Sequence, residues 1–206
     1  THKGFLRNLI IRNSEKTNEI MINFVTSYED RIILQPIVNK LIKNFKNIKS
    51  IFNNINSKQS DTSFGEYEIL LYGDRFIIEK IDNYEFEISS NSFFQTNTNQ
   101  AENLYAIAKN MAQLKSDDIL FDLFCGTGSI SIYMASNLKR VYGFEIIESA
   151  IHDAYQNMKR NGITNCEFFQ VNLDKDFKYI LNSKKLPHPN VLFLDPPRAG
   201  IHPKLI

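Results

Sequence analysis

Cysteine is scarce in this chain of 206 residues: Cys125 and Cys166 are its only two. They are too few and too scattered to build a disulfide framework or a four-ligand zinc site. No charge of one sign dominates either. Lys and Arg number 24 against 23 Asp and Glu, a formal net charge of +1, with the balance even in both halves. Such neutrality withholds the electrostatic footprint of a chain that binds RNA, DNA or an anionic membrane with its whole surface. A polyanion, if bound, must be held locally or by parts outside these residues. Leader-like segments and apolar runs of membrane-spanning length are absent as well. A cytoplasmic setting with no membrane attachment is therefore expected. The chain opens on Thr1 rather than methionine and stops at Ile206 soon after a strand-like run. It reads as a fragment.

A missing glycine is informative too. Asp122-Leu-Phe-Cys-Gly-Thr-Gly-Ser129 follows the apolar run Ile119-Leu-Phe121 and precedes a helix-like run from Ile130 to Leu138. Strand, glycine turn and helix N-terminus in that order form the usual cradle for an adenosine-containing cofactor. Gly126 and Gly128 let the backbone bend tightly and approach a ligand. A nicotinamide or flavin fingerprint wants a third glycine three residues on, where Ser131 stands. A pyrophosphate would also set an anion against Asp122. A sulfonium cation such as S-adenosyl-L-methionine has no phosphate and carries a positive charge, so the carboxylate helps it. The next strand-like run, Arg140 to Glu145, ends in an acid 23 residues after Asp122. An acid at about 20 residues' distance reaches ribose hydroxyls. Taken singly, Asp122 is also a candidate helix cap and Glu145 a solvated strand end.

The chain divides by texture. Residues 1–90 read as a small α+β lobe. Leu6–Arg12 and Ile20–Thr26 flank the polar turn Ser14–Asn18 as a hairpin. Apolar residues at 37, 38, 41, 42 and 45 predict a helix from Pro36 to Phe45, with the proline at its start. Strand candidates follow at Ser50–Ile55, Glu66–Tyr72, Phe76–Ile81 and Glu85–Ser89, and turns at Gly73-Asp74 and Asp82-Asn83 make the lobe antiparallel in character. Lys40, Lys43, Lys46 and Lys49 recur every three residues, as a solvated face or as contacts to an RNA backbone.

Residues 91–206 alternate strand and helix. Asn99 and Glu102 resemble a capping box opening a helix with Leu104, Ala108 and Met111 on one side. Strand 119–124, helix 129–137, strand 140–145 and helix 148–161, closed by Asn161-Gly162, come next. Strands 166–171 and 190–195 complete the series. The alternation predicts an α/β, Rossmann-like parallel sheet with helices on its faces. Ligands of such sheets sit at the carboxyl ends of the strands, where Asp122–Phe124, Glu145, Asn172 and Asp195 are expected to gather.

Two further motifs bear on chemistry. Asp195-Pro-Pro-Arg198, then Ala-Gly200, follows the apolar run Val191–Leu194. Consecutive prolines lock the backbone and withhold two N–H donors, which fixes the nearby oxygens. In amino-group methylases the related turn usually ends in an aromatic residue; Arg198 in that place argues for another acceptor atom. Ser92-Phe-Phe-Gln-Thr-Asn97 sets two aromatics beside an amide. They could stack on an extruded base or an adenine, or fill a core; the residues alone leave both open.

Ser92–Asn97, Asp122–Gly128, Gly143-Phe-Glu145 and Asp195–Gly200 occur in the order found in RNA uracil-5-methyltransferases, which this chain resembles. Those enzymes make 5-methyluridine in transfer RNA and large-subunit ribosomal RNA. The likeness extends to Leu6–Arg12 and Glu19–Val25, which look like the family's central domain. The resemblance implies S-adenosyl-L-methionine contacts at Gln95, Phe124, Glu145, Asn172 and Asp195 beside the turn of Asp122, Gly126 and Gly128. Ser129 fills a place where some members carry asparagine. Phe93 matches an aromatic position near the target base, and Arg198 falls on the substrate side. RNA is the implied partner; oligomeric state is not legible.

The family's chemistry needs more than a donor site. A thiolate adds to carbon 6 of uracil, carbon 5 of the resulting enolate takes the methyl group, and a base then removes the carbon 5 proton. The target must be unpaired or extruded. In the family the nucleophilic cysteine and the base lie beyond the Asp-Pro-Pro-Arg turn, so no catalytic residue is expected within these 206 and no methyl transfer from them alone. Cys125 belongs to the cofactor turn, and Cys166, at a strand start, reads as core. The rival readings are a methylase of amines or small molecules, and a non-catalytic RNA-binding module.

Overall fold

A computed structural model describes residues 4–57, 65–136, 138–197 and 200–201. The chain splits into two compact units, one of residues 1–79 and 87–91, the other of residues 80–86 and 92–206.

The first unit holds a four-stranded sheet in the order β1-β2-β3-β4, from β1 (Leu6–Asn13), β2 (Ile20–Thr26), β3 (Ile48–Ile55) and β4 (Tyr67–Gly73). β1 and β2 form the expected antiparallel hairpin. β3, however, runs parallel to β2, so the lobe is not antiparallel throughout. The reason is the helix between them. α1 (Arg31–Asn44) is a crossover connection, which returns the chain to the same end of the sheet. It starts earlier than Pro36 because Asp30 caps it, its carboxylate accepting from the N–H groups of Ile32 and Ile33 at 3.0 and 3.1 Å. Leu34 and Val38 on α1 bury against Ile22, Phe24, Ile48 and Ile51 of the sheet, closing this core. A second hairpin, β5 (Phe76–Ile81) and β6 (Tyr84–Ser89), follows, and its residues 80–86 are counted with the second unit. Within the first unit Ser14 Oγ donates to Glu79 at 2.9 Å, and the Ile78 N–H donates to Glu19 at 2.7 Å.

The second unit is α/β. β7 (Ile119–Leu123), β8 (Arg140–Glu145), β9 (Cys166–Gln170) and β10 (Val191–Leu194) form a wholly parallel sheet in the order β10-β7-β8-β9. Register puts Phe193, Asp122, Gly143 and Phe168 side by side, so all four strands end on one edge. α2 (Thr98–Ala112), α3 (Ser129–Ala135) and α4 (Glu148–Arg160) are the expected helices. α5 (Leu173–Ser183), between β9 and β10, is one the sequence reading passed over. The cap of α2 is also corrected: Asn97, not Asn99, accepts from the Gln100 N–H at 3.1 Å. Glu102 accepts from the Asp82 N–H at 2.9 Å instead of closing a capping box. Phe121, Leu123, Phe144 and Phe169 form an aromatic-rich core against Phe177 and Leu181 of α5. Among the described residues no helix is long and apolar enough to cross a membrane, and no group of His, Cys, Asp and Glu is arranged to hold a metal ion.

Candidate functional site

The site is built around the turn from β7 to α3. Phe124, Gly126 and Gly128 all have left-handed backbone, with φ of 68°, 53° and 79°. For Phe124 that conformation is uncommon and is held by its surroundings. Its N–H and that of Cys125 both donate to the Phe144 carbonyl, at 2.9 and 3.0 Å. Gly128 is needed twice over, since a Cβ there would lie 3.0 Å from both Ala154 and Phe168. At Gly126 nothing lies within 4 Å of where a Cβ would be, so the backbone there faces open space.

Glu145, at the end of β8, fastens this turn. One carboxylate oxygen accepts from the Gly126 N–H at 3.2 Å, the other from Ile146 and Ile147 at 2.8 and 3.0 Å. Asp122 is fully buried on β7. Its Oδ2 accepts from Ser131 Oγ at 2.6 Å, while Oδ1 has no partner. Burial is the main reason its carboxyl is pushed up to about 7; the negative charges of Asp195 and Glu145 add to this, and the Ser131 bonds oppose it. A neutral chain thus carries a locally acidic strand edge.

Two segments a hundred residues apart meet beside it. Gln95 Nε2 donates to Asp195 Oδ2 at 3.4 Å, joining the entry to α2 with the exit from β10. Ser129 shares a 3.0 Å hydrogen bond with the hydroxyl of Tyr105. Asn172 caps α5, its side chain accepting from the Asp174 N–H at 3.0 Å. It also lines a cleft of about 340 Å³ with Ile146, Gln170, Asp176 and Tyr179. The two phenylalanines of the Ser92–Asn97 segment part company. Phe94 is buried against Phe86, and Phe93 is 68 % exposed. Arg198 lies outside the described residues.

Both cysteines sit in settings that disfavour the thiolate. Cys125 and Cys166 are free and buried. Burial, together with the charge of Asp122, raises the Cys125 thiol well above its usual range and Cys166 to about 12.

Residues 68–206 match the family model described as tRNA (uracil-5-)-methyltransferase. The chain belongs to that family. Relatives include uncharacterized RNA methyltransferases of Chlorobaculum tepidum and Clostridium acetobutylicum. The first is 38 % identical over 100 % of this chain and 43 % of its own length, the second 39 % over 99 % and 44 %. A crystal structure of Pyrococcus abyssi tRNA (uracil-54, C5)-methyltransferase in complex with S-adenosyl-L-homocysteine superposes with a TM-score of 0.75 at 32 % identity, over 98 % of this chain and 46 % of that one. The chain therefore spans a little under half the length of the relatives it matches.

Within this uracil-5-methyltransferase fold, several residues at the strand edge escaped the sequence reading. Ser131, which stands where a dinucleotide fingerprint carries glycine, is the partner of Asp122. Gly143 sits under the turn, where a Cβ would come within 2.5 Å of Phe168 and 2.9 Å of the Cys125 sulfur. Tyr105, Ile146 and Tyr179 belong to none of the motifs legible in the sequence. Only Ile146, the residue after Glu145, could have been found by spacing.

Proposed function

We propose that this chain carries the methyl-donor site of an enzyme that methylates carbon 5 of a uridine in transfer RNA or large-subunit ribosomal RNA. The site would comprise Gln95, Asp122, Phe124, Gly126, Gly128, Ser129, Glu145, Asn172 and Asp195, with Phe93 and Arg198 on the RNA side. The observation that carries this reading is the buried Asp122 beside an open glycine turn, its Oδ1 unpartnered. Buried carboxylate oxygens rarely go unsatisfied, and an ammonium group or a bridging water would complete this one. S-Adenosyl-L-methionine, when bound, supplies an electrophilic methyl group on a sulfonium ion and presents a cationic amine. Three acids around the turn suit such a ligand and repel a phosphate.

The remaining roles follow from what each side chain has left to give. Glu145 accepts three backbone N–H groups through two oxygens, which leaves about one acceptor site, on Oε2, for a ribose hydroxyl. The cleft between Ile146 and Tyr179, with Asn172 at its edge, offers an apolar slot and an amide for a purine ring. Phe93, exposed as a large aromatic, is free to stack on an unpaired base. Cys125 and Cys166 hold their protons, so the thiolate that adds to carbon 6 and the base that takes the carbon 5 proton are supplied from outside the described residues.

The test uses the full-length protein, unmodified transfer and ribosomal RNA transcripts, and donor carrying a labelled methyl group. Nucleoside mass spectrometry should find the label in 5-methyluridine. Label on a nitrogen would assign the site to an amine methylase, and no label in RNA would leave only a binding module.

A further inference from the structure

Tyr105 is not accounted for by its place on α2. It is 2 % exposed, lies 14 residues before the start of β7, and buries its polar end rather than turning it to water. The hydroxyl meets Ser129 Oγ at 3.0 Å. The ring is held edge-on against Tyr133 of α3, with centroids 5.6 Å apart. Tyr133 in turn packs against Tyr84 at 6.0 Å and lies under the ammonium of Lys109 at 5.4 Å. A phenol clamped in this way has little rotational freedom, and its position is set by two helices at once.

The bond to Ser129 has a direction. A phenol is a stronger acid than an aliphatic hydroxyl, which makes it the better donor of the pair. Burial raises the Tyr105 phenol to about 12, with the charges of Asp122 and Asp195 adding to the rise, so it keeps its proton over the physiological range. Ser129 is then the acceptor, and its own proton is free to point elsewhere. A serine hydroxyl without such a partner rotates among three staggered positions. Occupying one lone pair removes part of that freedom before any ligand arrives.

We propose that Tyr105 is a positioning residue of the donor site: it orients the Ser129 hydroxyl to donate to the amino-acid end of the methyl donor. This rests on the reading of the glycine turn as that donor's site. No family motif points to the residue, since the segments that carry the resemblance stop at Asn97 and resume at Asp122.

The test is calorimetric titration of S-adenosyl-L-homocysteine into the full-length protein and its Y105F, S129A and Y105F/S129A variants, with melting temperature measured on each. Y105F is expected to weaken binding about three- to tenfold while melting within a few degrees of wild type. S129A should weaken it by a similar factor, and the double variant no further, because both changes remove one hydrogen-bonded unit. S129T keeps a hydroxyl and should retain the sensitivity to Y105F. Binding by Y105F within twofold of wild type would overturn the role of Tyr105 and leave the donor site standing. So would a loss in the double variant equal to the product of the single losses, which is the mark of a general packing effect. Absence of binding in wild type would overturn both.

Discussion

Asp122 illustrates how one side chain answers to two demands. Folding places a carboxyl in a site with a single hydroxyl donor, and burial raises it from its ordinary 3.8 to about 7. The folded chain therefore holds this proton more tightly than the unfolded one. The stability linked to it is full below about pH 4 and drains as pH rises toward 7. Asp122→Asn removes that slope. The variant is expected to melt several degrees above wild type at pH 8 and close to it at pH 4, and a difference independent of pH would contradict the assignment. A cationic ligand favours the ionised form, so donor affinity should rise between pH 5 and 8 in wild type. Calorimetry in buffers of different ionisation heat would show proton release on binding near pH 6. The acids at this edge were legible because type and spacing recur, but their partners were not. Nothing in Ser131, Tyr105 or Ile146 as single letters tells which oxygen each will meet, since that depends on how the strands and helices pack.

Elements follow local rules where local rules are strong. β7, β8 and their glycine turn were readable because apolar runs, glycines and spaced acids coincide. α5 was not, since Leu173–Ser183 is charged in its first turn and its apolar residues, Phe177, Ile180 and Leu181, make sense only against the sheet. The α1 boundary was missed because Pro36 drew the start toward itself, whereas Asp30 caps the helix six residues earlier. Removing that cap with Asp30→Ala should cost about 1 kcal/mol. Faster amide exchange over Ile32–Leu34 would report it; unchanged exchange would show the cap to be idle. Gly128→Ala puts a methyl group on left-handed backbone and within 3.0 Å of Ala154 and Phe168. A loss of about 1–3 kcal/mol in urea unfolding, at constant slope, is expected. A loss below a few tenths would mean that the turn relaxes without effort.

At the scale of the whole chain, fold class and family were within reach of the sequence, because four short motifs keep their order across 109 residues, from Ser92 to Gly200. The parallel pairing of β2 with β3 was not, since strand direction is decided by a crossover that no single run of residues announces. Chemistry at this scale is divided. The described residues gather acids and amides at one strand edge but keep both thiols buried, which raises them above the usual thiol range. Iodoacetamide at pH 8 should label Cys125 and Cys166 only after unfolding, and serine at both positions should leave donor binding intact. Rapid labelling of either in the folded state would reopen the question of a nucleophile here. The most direct measurement is a crystal structure of the full-length protein soaked with S-adenosyl-L-homocysteine. The account predicts the ligand across the strand edge, its amine facing Asp122, its ribose on Glu145 and its purine between Ile146 and Tyr179. A ligand bound elsewhere, or no ligand beside Gly126 at saturating concentration, would contradict it.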